Sequence, residues 1–116
     1  MTTTTKTTKR KIEPRMPAFH VRMPGVHFIV RLPERLNKWM ELYLKASDYQ
    51  VAAELARELL QERKTKDKTE RGKMEIEKWL ERYVEEEDYS SPAELVRELL
   101  RNRRQEVEAK AAKKSS

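Results

Sequence analysis

The sequence predicts a mostly helical α+β chain in which a two-stranded antiparallel ribbon is covered on one face by four amphipathic helices. Three observations carry this expectation. A helical unit occurs twice, 40 residues apart, and a short strand motif occurs twice, nine residues apart. Both motifs have a single apolar side, so each requires the other to bury it.

The strands come first. Phe19-His-Val-Arg-Met-Pro24 and Phe28-Ile-Val-Arg-Leu-Pro33 share the pattern Phe-x-Val-Arg-apolar-Pro. Each is rich in aromatic and β-branched residues, alternates in polarity and stops at a proline, and Pro24-Gly25 separates them, which predicts a hairpin over 18–32. Antiparallel pairing about Pro24-Gly25 sets Met23 opposite Val26, Arg22 opposite His27, Val21 opposite Phe28, and His20 opposite Ile29. Side chains alternate along a strand, so Phe19, Val21, Met23, Val26, Phe28, Val30 and Leu32 fall on one face. His20, Arg22, His27, Ile29 and Arg31 fall on the other. Pro-Gly favours a type II turn, which matches hairpin twist less well than the primed types.

The helices follow. Leu36–Arg63 aligns with Ile76–Arg103 without a gap, and 14 of the 28 pairs are identical, so a fold proposed for one copy must hold for the other. In the pair over 34–63, Leu36, Trp39, Met40, Tyr43 and Leu44 form one helical stripe, and Val51, Leu55, Ala56, Leu59 and Leu60 form another. The pair over 74–104 repeats this with Ile76, Trp79, Leu80, Tyr83 and Val84, then Val96, Leu99 and Leu100. Ser91 as N-cap, Pro92 at the first helical position and Glu94 two residues on form a capping-box start, whereas the first copy has Val51 in place of Ser91. Residues 64–73 contain no apolar side chain and one of the two glycines, the composition of a linker. Residues 105–116 are expected to be a polar tail that frays before Lys113.

Charged residues make up 40% of the chain, hydrophobic ones 37%, and cysteine is absent. The core must therefore be small, and disulfides and thiolate metal sites are excluded. No nucleophile–base pair, metal triad or glycine-rich phosphate loop assembles from these residues, so no catalytic residue, cofactor or enzymatic activity is expected. The longest apolar stretch, around Val26–Leu32, is far below the ~20 residues that span a bilayer. A cytoplasmic protein of a bacterial, archaeal or viral-host cell is expected. Charge is uneven: residues 1–32 carry seven cations against Glu13 alone, net +6, whereas residues 74–100 carry nine acids against three bases, net −6. The first end suits a polyanion, and the acidic stretch suits solvent or a basic partner.

Two segments resemble known families. Met16-Pro-Ala-Phe-His-Val-Arg-Met-Pro24 resembles the strand segment of Arc-type phage repressors, and Asp88-Tyr-Ser-Ser-Pro-Ala-Glu-Leu-Val-Arg-Glu-Leu-Leu100 is similar to ParD-type antitoxins. Both families belong to the ribbon-helix-helix superfamily, and the resemblance covers about residues 16–104. It implies a fold in which two chains each give one strand to a ribbon that enters the DNA major groove, while the start of each second helix holds a phosphate. Carried over by position, the base readers are His20, Arg22, Ile29 and Arg31, with His27 on the same face. The phosphate contacts are Gln50 and Val51 in one copy and Ser90 and Ser91 in the other. A basic arm over 1–15, with Lys6, Lys9, Arg10, Lys11 and Arg15, adds salt-dependent phosphate affinity.

Two departures alter what the resemblance implies. The family often has glycine between the paired helices, where Ser47 and Glu87 stand here, so that turn is expected to be wider or shifted. The second helical unit also has no strand directly before it, because 66–73 is hydrophilic; the missing strand lies beside the first. The expectation is a single-chain pseudodimer, ordered strand-strand-helix-helix-linker-helix-helix, of 13.9 kDa, with association on DNA compatible. A homodimer of twice that mass, paired only through Val26–Leu32, is the alternative. The expected partner is double-stranded DNA, with a role as transcriptional repressor or as plasmid, phage or viral DNA accessory factor. The alternative is an antitoxin or interaction module that holds a toxin-like protein through its helices and the tail 101–116. Trp39 and Trp79 are expected in the core, and Tyr49 and Tyr89 packed over the interhelical turns. His20 and His27 lack a third metal ligand, and Glu85–Asp88 reads as a solvated helix end.

Overall fold

The computed structural model describes residues 18–47 and 49–115, the side chains of 114 and 115 excepted. They form β1 (Ala18–Met23), β2 (Val26–Arg31), α1 (Glu34–Ala46), α2 (Ala52–Lys66), a 3-10 turn (Glu70–Lys73), α3 (Ile76–Glu86) and α4 (Pro92–Ser115). The chain is thus α+β and mostly helical, with one two-stranded antiparallel sheet and four α-helices among the described residues.

β1 and β2 pair within the chain in the register Ala18↔Arg31, Phe19↔Val30, His20↔Ile29, Val21↔Phe28, Arg22↔His27 and Met23↔Val26. Gly25 closes the turn at φ +79, the sign that the second central residue of a type II turn requires. A Cβ there would also lie 1.7 Å from Glu77 Oε2, so the Glu77 carboxylate of α3 occupies the space that a side chain at the turn would need. On the inner face Val21, Val30 and Leu32 are fully buried, and Phe19, Met23, Val26 and Phe28 pack partly buried against the same core. At ~25 cal/mol per Å² of apolar surface, this face is what makes the ribbon stable, because an isolated hairpin is marginal in water.

The second helix of each pair lies beneath the ribbon. α2 packs on β1, α4 packs on β2, the two helices pack on each other, and α1 and α3 flank them. Leu55, Ala56, Leu59 and Leu60 of α2, and Leu95, Val96, Leu99 and Leu100 of α4, occupy equivalent buried positions. Contacts between the copies are reciprocal. Arg63 Nη1 donates to Tyr83 Oη and Arg103 Nη1 donates to Tyr43 Oη, both at 3.0 Å, so each second helix is tied to the first helix of the other pair.

The interhelical turn resolves the missing glycine. After α3, Tyr89 N–H donates to the Val84 carbonyl at 2.9 Å and Asp88 N–H donates to the Glu85 carbonyl at 3.3 Å. This is a Schellman closure with Asp88, at φ 65, in the left-handed position. The left-handed residue is therefore one place beyond Glu87, and it is an aspartate, one of the few non-glycine residues that visit this region readily. In the first copy Tyr49 N–H makes the equivalent bond to the Leu44 carbonyl at 3.1 Å.

Two boundaries differ from the expectation. The expected linker 64–73 is largely structured: α2 continues to Lys66, and Asp67 then anchors a 3-10 turn. Asp67 Oδ1 accepts from the backbone and hydroxyl of Thr69 at 3.1 and 2.8 Å, while Oδ2 accepts from Arg71 Nε at 2.5 Å and Trp79 Nε1 at 3.0 Å. Arg71 also reaches Glu86 and Glu87 at 2.7 and 2.8 Å and lies over the Tyr83 ring at 4.6 Å. The acidic end of α3 thus has a basic partner inside the molecule. Gly72 belongs here because a Cβ would sit 2.0 Å from the Asp67 carbonyl oxygen. The second boundary is the tail, where α4 runs unbroken to Ser115. No breaker interrupts it, alanine and long-chain polar residues favour helix, and Arg104–Glu108 at 3.2 Å and Arg103–Glu106 at 3.4 Å add spaced ion pairs.

Candidate nucleic-acid interface

The helices cover one face of the ribbon and leave the alternate residues of its outer face open. His20, Arg22, His27, Ile29 and Arg31 all lie on that outer face and are exposed. Ile29 is 42% exposed, a substantial value for an aliphatic residue in the middle of a strand. No acidic residue occurs between positions 18 and 33. Among the described residues neither Arg22 nor Arg31 forms an ion pair, so both guanidinium groups keep their donors for an outside acceptor. Arg22 lies two residues beyond His20, and Arg31 two beyond Ile29 in the opposite direction. At ~3.3 Å per residue the two arginines are about 13 Å apart along the ribbon.

Two contacts tune this face. His20 Nδ1 and His27 Nε2 share a hydrogen bond of 2.9 Å, with the rings stacked at 5.2 Å between centroids. One of those nitrogens carries the proton, which leaves His20 Nε2 and His27 Nδ1 for other partners. Arg97 Nη1 of α4 donates to the Arg31 carbonyl at 3.2 Å, fastening the end of β2 while the Arg31 side chain points away. Among the described residues no group of three or more histidines and carboxylates is arranged to hold a metal ion.

The helix starts expected to hold phosphate are already partly occupied. Glu94 Oε1 accepts from Ser90 N–H at 2.6 Å and Ser90 Oγ at 3.0 Å, and Ser91 Oγ accepts from Glu94 N–H at 3.3 Å. The capping carboxylate therefore reaches back to Ser90 rather than to Ser91, and the Ser90 amide followed by its hydroxyl hold the Glu94 carboxyl below its ordinary range. In the first copy Gln50 N–H donates to Glu54 Oε1 at 3.0 Å, while Val51 is 54% exposed with no side-chain cap. A phosphate at either start meets a glutamate already bound to the backbone. The arm residues Lys6, Lys9, Arg10, Lys11 and Arg15 lie outside the described residues.

Trp79 and the two tyrosines after the interhelical turns take the packing places expected of them, whereas Trp39 packs against the core from its edge. Trp79 is fully buried and Trp39 is half-buried. Tyr49 and Tyr89 stack on Tyr43 and Tyr83 at 6.2 Å and donate to Glu58 and Glu98. Burial, then the bond to Glu58, pushes the Tyr49 hydroxyl up to about 12.

No described helix is long and apolar enough to cross a membrane. None of the family models, curated proteins or solved structures compared with the chain matches it.

Proposed function

We propose that the chain is a sequence-specific DNA-binding protein of ribbon-helix-helix type, a single-chain pseudodimer that reads the major groove with its β1–β2 ribbon and acts as a repressor or accessory DNA factor. The observation that carries the reading is the outer ribbon face: two arginines with no ion pair among the described residues and two histidines, with no carboxylate on the ribbon, on strands whose other face is sealed into the core. A two-stranded ribbon fits a major groove about 12 Å wide, and bidentate arginine to guanine is the commonest specific contact there. The 40-residue reciprocity of the helices supports the view that one chain supplies both halves of a dimer-like body.

The test is selection of sites from random duplex DNA, followed by gel-shift titration of the enriched sequence against Arg22→Ala/Arg31→Ala. Each arginine is worth ~1–3 kcal/mol of discrimination, so the double variant is expected to bind the enriched and random sequences alike while the wild type separates them. Equal affinity of the wild type for both would reject base readout. A second reading, a module that captures a toxin-like protein, draws on α4, which is exposed over 108–113. Co-purification that survives Arg22→Ala/Arg31→Ala but is lost when 105–116 are removed would favour it.

A further inference from the structure

The strand motifs repeat at an offset of nine, while paired positions in the hairpin sum to 49, as in His20↔Ile29. Those two relations meet at the His20–Ile29 pair. A half-turn about that pair exchanges the strands, carrying Phe19 onto Phe28, Val21 onto Val30 and Arg22 onto Arg31. It also carries His20 onto Ile29 and Ala18 onto His27. Met23 falls on Leu32, so the inward face stays apolar under the rotation and the two arginines repeat, while the remaining outward positions break it.

From this, and resting on the base-reading function proposed above, we infer that the ribbon recognises a non-palindromic duplex and sits on it in one orientation. At the turn end, Arg22 lies directly opposite His27, which offers a guanidinium and an imidazole to neighbouring bases. At the other end, Arg31 lies opposite Ala18, which offers a guanidinium and a methyl group. Imidazole hydrogen-bonds a base edge, whereas a small apolar side chain suits the thymine methyl. The centre is split in the same way, with the His20 ring on one strand and the Ile29 side chain on the other. The His20–His27 bond at 2.9 Å joins the centre to the turn end alone, because neither Ile29 nor Ala18 has a side-chain donor or acceptor to form its counterpart. The helix start is unlike too: Pro92, next to the serine cap, lines the same 460 Å³ cleft as Gly25 and Val26 at the turn end, while the other copy begins at the uncapped Val51. The site expected is two guanine-containing halves flanked differently, polar-read towards the turn and thymine-rich towards the open end.

The experiment uses the full chain and random-sequence duplexes. After enrichment, the selected site is compared with two synthetic palindromes, each built by repeating one of its halves. Unlike halves are expected, with both palindromes weaker by roughly fivefold or more, the lower bound for one lost base contact. Ala18→His/Ile29→His, two exposed changes that restore the rotation, is expected to close that gap and favour the palindrome of the turn-end half. Selection of a palindrome, or equal binding of all three duplexes by the wild type, overturns the polarity while leaving base reading intact. Absence of any enriched sequence overturns base reading itself, and the polarity with it.

Discussion

Replacing Asp67 by alanine tests whether the segment between the helix pairs is a tether or a structural part. The Asp67 side chain is 4% exposed and binds Arg71, Thr69 and the indole of Trp79, which is fully buried. Asp67→Ala leaves that indole N–H without a partner in the core, a cost of about 1–3 kcal/mol. The full ~3–5 kcal/mol penalty of an abandoned buried charge does not apply, because Arg71 keeps Glu86 and Glu87. A net loss of about 2–3 kcal/mol is expected, read as a lower urea midpoint at unchanged slope and a fall in Tm of roughly 8–20 °C. Asp67→Asn, which retains one acceptor oxygen, should lose less. The interaction also has a pH signature. Burial raises the Asp67 carboxyl, but the Arg71 guanidinium, then Thr69 and Trp79, outweigh burial and hold it well below its ordinary value of 3.8. Because the folded-state value is depressed, the contribution is complete above pH 3.8 and is lost as pH falls below it. The stability gap between wild type and Asp67→Asn should therefore narrow from pH 5 to pH 2. Both variants within ~0.5 kcal/mol of wild type at pH 7 would refute the reasoning and return the segment to the status of a passive linker.

Gly25→Ala should destabilise by about 1–2 kcal/mol, the cost of a side chain in the left-handed region, since the Glu77 carboxylate it meets is the far end of a flexible chain. Gly25→Asn should cost less, and thermal unfolding of the two variants separates backbone strain from overlap. Glu54→Gln/Glu94→Gln keeps an acceptor at both second-helix starts while removing its charge, so affinity for random duplex should rise and its salt dependence steepen. Unchanged affinity would exclude phosphate from those starts. Alkaline titration followed by tyrosine absorbance should show late ionisation of Tyr49. Its raised value means that its share of stability is complete below pH 10 and is lost as pH rises towards 12. Tyr49→Phe should abolish that segment of the curve.

Alternation and internal repetition make the ribbon legible in the amino-acid sequence itself. A one-residue slip would turn one strand's apolar set outwards, so alternation together with the Pro24-Gly25 turn selects the pairing in which seven apolar side chains share a face. The helices are legible for the same reason, since their apolar stripes recur twice. What sequence reasoning misses is chemistry that depends on distant partners. Asp67 and Arg71 look like ordinary members of a hydrophilic run, and nothing local reveals that Trp79 and the acidic end of α3 will meet them. Asp88 is the residue at its turn able to take a positive φ at low cost, a signal present in the sequence but set one position beyond the expected glycine. The length of α4 exceeds the expectation because polar composition alone does not fray a helix, and alanine, glutamate and lysine are all good helix formers. The candidate interface is legible as a face, and the Glu94 cap is legible in the Ser91-Pro-Ala-Glu94 pattern, but the His20–His27 bond and the return of the two capping carboxylates to Gln50 and Ser90 depend on side-chain positions that no local pattern encodes.

The way the two halves differ bears on function. Although Trp79 is fully buried and its counterpart Trp39 only half-buried, the positions beneath the ribbon obey the internal symmetry: α2 and α4 present matching buried residues, and both strands direct Phe and Val inwards. Packing at interior density requires this, since each half must fill the same space beneath one ribbon. Outward ribbon positions have no such constraint, and there the symmetry holds only for Arg22 and Arg31. In a homodimer a change on one strand appears on both, so the two halves of the reading face cannot diverge. One chain that carries both strands removes that coupling, because His27 and Ala18 are separate positions of a single sequence. On the proposed reading, fusion therefore permits one end of the ribbon to be altered without the other. His27→Ala should then relax discrimination only in the half-site beneath the turn, and loss of preference in both halves would contradict that independence.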